Sequence, residues 1–143
     1  MIIFLIFLLT QLSTTIAVTD YVSVDLTIEC KLKTEWSYDS AVFESDNFSD
    51  DQITFGGIKH VHTAVDNVQM IGWDAGDLSP SYEFYIKIQH NCHNDGNHLK
   101  MVRVMFPYVE VFRGFYRFKL NVDVTNKEGE YRDIPVQIGY EPW

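Results

Sequence analysis

Nucleophilic catalysis needs a Ser or Cys with a base beside it, and Cys92, next to His90 and His93, is the only candidate in the chain. His90 points the same way as Cys92, but it lies along the strand rather than at a hydrogen-bonding angle to the sulfur. A disulfide at Cys92 would end the idea at once. The residues therefore indicate no catalytic set, and the protein is read as not an enzyme. The other cysteine is Cys30. In an oxidising compartment the pair favours a disulfide, Cys30 to Cys92, with two free buried thiols as the alternative.

The histidines His60, His62, His90, His93 and His98 are the parts from which a zinc or copper site is made. Nothing has metal-ligand spacing, so no metal and no cofactor is expected. His90 falls in the apolar phase of its strand and reads as a hydrogen-bonded core histidine. Glu44, Asp46, Asp50 and Asp51 are carboxylates of the kind calcium takes, although a solvated acidic loop is the commoner form of such a run. That loop holds Asn47-Phe48-Ser49, an N-glycosylation sequon with Asn47 as acceptor. Gly56-Gly57 is a turn signal and not a phosphate loop.

Strands must position these groups. Tyr82 to Cys92 alternates: Tyr82, Phe84, Ile86, Ile88, His90 and Cys92 share one face, and Glu83, Lys87, Gln89 and Asn91 the other, with Tyr85 the exception. That is the period of a strand with one dry side and one wet side. Tyr21 to Cys30 alternates as cleanly, with Val22, Val24, Leu26, Ile28 and Cys30 inward, and so does Phe115 to Thr125. Lys31 to Asp39 reads as a loop with Trp36 and Tyr38 folded back, and Ser40 to Ser45 as a short strand. Ile53 to Val65 is strand-like but broken by Gly56-Gly57. Asp66-Asn67 is expected to turn the chain into a partner strand, Val68 to Trp73, since both side chains tolerate left-handed backbone. Leu99 to Phe106 is apolar on both faces and is expected to be buried on both. Ile134 to Tyr140 is marked as an edge by Pro135. Short strands without an amphipathic helix predict an all-β fold, an antiparallel β-sandwich of seven or eight strands.

The sequence has 143 residues, one domain's worth, and residues 1–17 are set apart from it. Met1 to Leu9 is apolar, and Thr15-Ile16-Ala17 offers small residues for cleavage, which is the pattern of a secretory signal peptide. The apolar run is shorter than the roughly 20 residues of a membrane span, so no transmembrane segment is expected in the mature chain, 18–143. The formal net charge is −9. A chain of that sign is repelled by nucleic acid, and none is expected as a partner.

The order of elements resembles the transthyretin-like family of secreted nematode proteins. Tyr85-Ile86-Lys87-Ile88-Gln89-His90-Asn91-Cys92 is close to that family's Tyr-Leu-x-Ile-Tyr-His-Asp-Cys strand, and Gly129-Glu130-Tyr131-Arg132-Asp133 matches its Gly-Glu-x-Arg-Asp stretch. Asp66 to Gly72 and Leu99 to Tyr108 follow it more loosely. Leu26 stands where the family usually has Gly, and its Gly-Lys-Pro after the first Cys is absent. Two further cysteines common in the family are missing together, which leaves Cys30 and Cys92 as natural partners. The resemblance implies a divergent member with a transthyretin-like (prealbumin-like) sandwich, secreted to the extracellular region.

The function expected is that of a non-catalytic extracellular binding protein, its ligand or protein partner unidentified and its binding residues unknown. The loops Asp46 to Gln52, Asp74 to Ser81 and His93 to Asn97 are the places where binding would sit. One alternative is a secreted structural or cuticle-associated protein. Another is a hydrolase related to the hydroxyisourate hydrolases. Their Tyr-Arg-Gly-Ser tail is missing, since Tyr131-Arg132 is followed by Asp133 and the chain ends Gly139-Tyr140-Glu141-Pro142-Trp143.

Overall fold

A computed structural model describes residues 19–74, 79–95, 98–111 and 114–142. The expected signal peptide, 1–17, lies outside the described residues. The described chain is all-β. Its strands are β1 (Asp20–Glu29), β2 (Trp36–Glu44), β3 (Asp51–Val61), β4 (Val65–Asp74), β5 (Ser81–Tyr82), β6 (Phe84–His90), β7 (Lys100–Met105), β8 (Val109–Glu110), β9 (Gly114–Asp123), β10 (Gly129–Tyr131) and β11 (Val136–Pro142). They form a four-stranded sheet, β11-β9-β1-β4, a five-stranded sheet, β10-β7-β6-β2-β3, and a small pair, β5-β8. The inner faces of the two large sheets share one core, the arrangement of a β-sandwich.

The alternation read from the sequence is what fills that core. Val22, Val24, Leu26 and Ile28 of β1 meet Phe84, Ile86 and Ile88 of β6 and Tyr116, Phe118, Leu120 and Val122 of β9, all buried. Three buried tyrosines, Tyr38 and Tyr82 on the core side and Tyr85 on the outer face of its sheet, each donate to a carboxylate. Tyr38 donates to Asp66 and Tyr82 to Asp20, both at 2.7 Å, and Tyr85 to Asp50. Asp20 is itself fully buried, and its second oxygen accepts the amide of Gly114, so one side chain joins the starts of β1 and β9 to β5.

Several expectations are corrected. The sandwich is not wholly antiparallel: β1 runs parallel to β9, and β10 parallel to β7. The described residues form eleven strands rather than seven or eight, because three are only two or three residues long. Trp36 to Asp39 is not loop but the first half of β2, where Trp36 and Tyr38 sit on the inner face. Gly56-Gly57 does not break β3. It makes a bulge opposite Ser40 and Ala41, with Gly57 at φ 78°, a left-handed conformation that glycine takes without penalty.

Asp66-Asn67 is not the turn. The chain turns at residues 62–64, and Asp66 and Asn67 lie in β4, their side chains bonded to Tyr38 and Thr27. Nor does β4 return beside β3: it pairs with β1 in the other sheet. The two edges still touch, because a Cβ on Gly72 would come 2.4 Å from the carbonyl oxygen of Ile53. In β7, Val102 and Val104 are buried, but Met101, and Leu99 just before the strand, remain well exposed, so the expected burial of both faces is not met.

Candidate functional site

The cysteines decide the chemistry first. Cys30, just after β1, is bonded to Cys92, just after β6, with Cα atoms 5.8 Å apart, inside the reach of a disulfide. The bridge ties one sheet to the other, and the Cys92 sulfur is spent. The backbone amide of Cys92 donates to His90 Nδ1 at 3.2 Å, and His90 Nε2 meets the carbonyl of Lys127 at 3.0 Å. Nε2 therefore carries the proton. Burial is the main cause that pushes the His90 pKa down, partly offset by that carbonyl. His93 is buried too and repeats the pattern, accepting the Asp95 amide at Nδ1 and facing the His98 carbonyl at Nε2. In both rings the lone pair and the proton are taken by backbone, which is the arrangement of core histidines rather than of ligands or bases.

His60 and His62 are exposed at the end of β3, where His60 meets Ser37 Oγ at 2.8 Å and His62 faces Glu35. The acidic run is likewise engaged. Glu44 is buried and accepts the Glu83 amide, and Asp46 accepts the Asn47 amide. Asp50 accepts the Tyr85 hydroxyl, the chief reason its carboxyl is held below the ordinary range. Asn47 and Phe48 are exposed in the β2–β3 loop. Of the other proposed binding loops, residues 75–78 and 96–97 lie outside the described residues.

A site is built instead on the outer face of the five-stranded sheet. There the register sets Arg103, Lys87, Ala41 and Phe55 in one cross-strand row. Met101, Gln89, Asp39 and Ile58 form the next row, and Tyr85 and Phe43 stand on the other side. Tyr85 is buried although it faces outward. The Arg103 guanidinium lies 3.7 Å over its ring, Phe43 stacks on it at 5.4 Å, and Lys87 Nζ sits 4.4 Å over Phe43. Burial, then the Asp50 bond, pushes the Tyr85 phenol up. Cation–π contacts of this kind hold both cations at the Tyr85 end of the face.

Beyond them the small side chain of Ala41 leaves a depression of about 170 Å³, walled by Asp39, Phe43, Phe55, Lys87, Gln89 and Met101. A second hollow of about 110 Å³ adjoins it, and Asp39 and Gln89 belong to both. Asp39 lines both hollows, and one of its oxygens, Oδ1, is shielded from solvent without a hydrogen-bond partner. A wider depression of about 470 Å³ beside the disulfide is lined by the loop Cys30 to Glu35 and by Ala64 of the β3–β4 turn, open to solvent and with no set of groups converging on it.

The sequence matches, over residues 25–133, a family described as Caenorhabditis elegans protein of unknown function (DUF870). The chain belongs to that family. The DUF870 span takes in both cysteines and every residue that walls the Ala41 depression, and it ends before β11. The description gives the domain a nematode origin and no activity. No curated protein matches the chain. Sequence reasoning missed the site because it read Asp39 as loop. The signal was present in Trp36-Ser37-Tyr38-Asp39, an apolar–polar alternation that continues into Ser40 to Glu44 but is masked by the polar Ser40 and Glu44 on the inner phase.

Proposed function

We propose that the protein is a secreted, non-catalytic extracellular binding protein, a divergent relative of the transthyretin-like proteins. In this reading it is produced as 18–143 and takes its ligand on the outer face of the five-stranded sheet. The observation that carries the reading is the Ala41 depression, a hollow with an apolar rim and a carboxylate, one of whose oxygens is shielded from solvent without a partner. Its walls, apolar with a few polar groups, have the composition of a ligand site, and its volume of about 170 Å³ suits a small ligand. The engaged ring nitrogens of His90 and His93 and the bonded Cys92 support a role without catalysis. The inter-sheet disulfide supports an oxidising, extracellular setting. The exposed Asn47 supports glycosylation there.

Two measurements test this. N-terminal sequencing of protein from culture medium should begin near Val18, and material still carrying Met1 would count against secretion by cleavage. Amide chemical shifts of the labelled protein, followed against a mixed small-molecule library, should move at Ala41, Phe55 and Gln89. Movements confined to the sandwich-end loops would remove the sheet face as the site.

A further inference from the structure

The charges of the sheet face are sorted along β2. At the Phe43 end, Lys87 and Arg103 are held over aromatic rings, and Arg103 also faces Asp50 at 3.8 Å and Glu130 at 3.9 Å. Four residues away along the same strand, roughly 13 Å at about 3.3 Å per residue, stands Asp39. Its Oδ1 is out of water and has no donor. Lys87 is its near neighbour in register, yet the ammonium of Lys87 reaches toward Phe43 and Tyr85 instead. A carboxylate that lines a hollow with one oxygen already cut off from water is short of solvation, and a charged donor placed in that hollow offsets this best.

The surroundings say what kind of donor. Phe55, Ile58, Leu99 and Met101 are 56%, 71%, 59% and 43% exposed around Asp39, an unusual concentration of apolar surface on the wet side of a sheet. A metal ion would need several oxygen ligands, and this hollow offers one carboxylate. An organic cation needs one anion for its charge, an aromatic ring for its polarised C–H and N–H groups, and apolar surface for its body. The hollows of about 170 and about 110 Å³ are smaller than the ~300 Å³ at which drug-sized pockets begin, so the ligand is small. The net charge of −9 draws cations toward the molecule.

We infer that the Ala41 depression binds a small organic ammonium ion, its charge on Asp39 and its apolar body over Phe55 and Met101. This rests on the proposed binding face and names the ligand class for it. The test uses the secreted protein and three probes of one shape, phenethylammonium, 2-phenylethanol and 3-phenylpropanoate, each titrated by amide chemical shift. Phenethylammonium should move Ala41, Gln89 and Phe55 and bind at least tenfold more tightly than the alcohol. Asp39→Asn should reduce that affinity at least tenfold, and Ala41→Leu, which fills the hollow and leaves the charge, should abolish it. Circular dichroism confirms that each variant is folded, and if Asp39→Asn does not fold, Ala41→Leu and the probe comparison decide. Equal binding of amine and alcohol, unchanged affinity in Asp39→Asn, or binding that survives Ala41→Leu would overturn the inference. Shifts on the same residues from the propanoate or alcohol alone would overturn the ammonium class while keeping the face as a binding site. No shift from any probe, there or with the wider library, would remove both.

Discussion

At the scale of single residues, two titrating groups report on how tightly the disulfide end is built. His90 is buried in its neutral form and its pKa is lowered, chiefly by that burial. The unfolded chain therefore takes up a proton that the folded one refuses, and stability present above about pH 6.5 is lost as the pH falls toward the folded value. A series of urea melts between pH 7.5 and 5 should show this slope, and His90→Gln should flatten it. Asp123 works in a lower window. Burial pushes its carboxyl up, but the bonds from Lys31 and Thr125 outweigh that and bring it down to about 2. Its contribution is complete above the ordinary carboxylate value near 4 and disappears as the pH drops toward 2. Asp123 is partly exposed and its partner Lys31 is exposed, so solvent screens the pair, and Asp123→Asn should blunt the acid limb of the pH–stability curve by less than about 1 kcal/mol. The sequence announced His90 as a core residue by its phase in the strand. It gave no sign of Lys31 with Asp123, because that pair is joined only by the pairing of β1 with β9.

At the scale of elements, the inner faces of β1, β6 and β9 were legible because alternation is a local property. What was not legible is which strand lies beside which. Asp66 and Asn67 have the composition of a turn, yet they extend because their side chains find Tyr38 and Thr27, residues distant in sequence. Tyr85 looks like an exposed aromatic until Phe43 and Arg103 arrive from neighbouring strands to cover it. The contact of β3 with β4 at the open side of the sandwich is equally long-range, and it depends on Gly72. An alanine there would drive its Cβ against the Ile53 carbonyl at 2.4 Å, and backbone cannot swing away as a side chain can. Gly72→Ala should cost about 1–3 kcal/mol in chemical denaturation, as overpacked sites do. A variant as stable as the parent would show that the two edges are free to separate.

At the scale of the whole molecule, the disulfide is a covalent brace between sheets that also share one core. It joins residues 62 apart in sequence. On chain-entropy grounds closing such a loop stabilises by about 4 kcal/mol, a large share of the ~5–15 kcal/mol available to a domain. Cys92→Ser should therefore lower the melting temperature by more than about 10 °C, read by calorimetry, and reduce the yield of folded protein. A parent whose melting is unchanged by reductant would contradict this. Chain length and strand alternation bounded the molecule as one β domain. The Ala41 hollow was beyond their reach, because it exists only where two sheet rows and a bulge meet.

The parallel pairing of β1 with β9 has a temporal side. β1 lies in the interior of its sheet, flanked by β4 and β9, so its second edge waits for residues 115–123. During synthesis residues 30–114 emerge between β1 and the strand that closes that edge. Non-local pairing of this kind slows folding toward the millisecond-to-second range. Until β9 docks, the second edge of β1 has no partner, and that interval is when the chain is most open to mispairing.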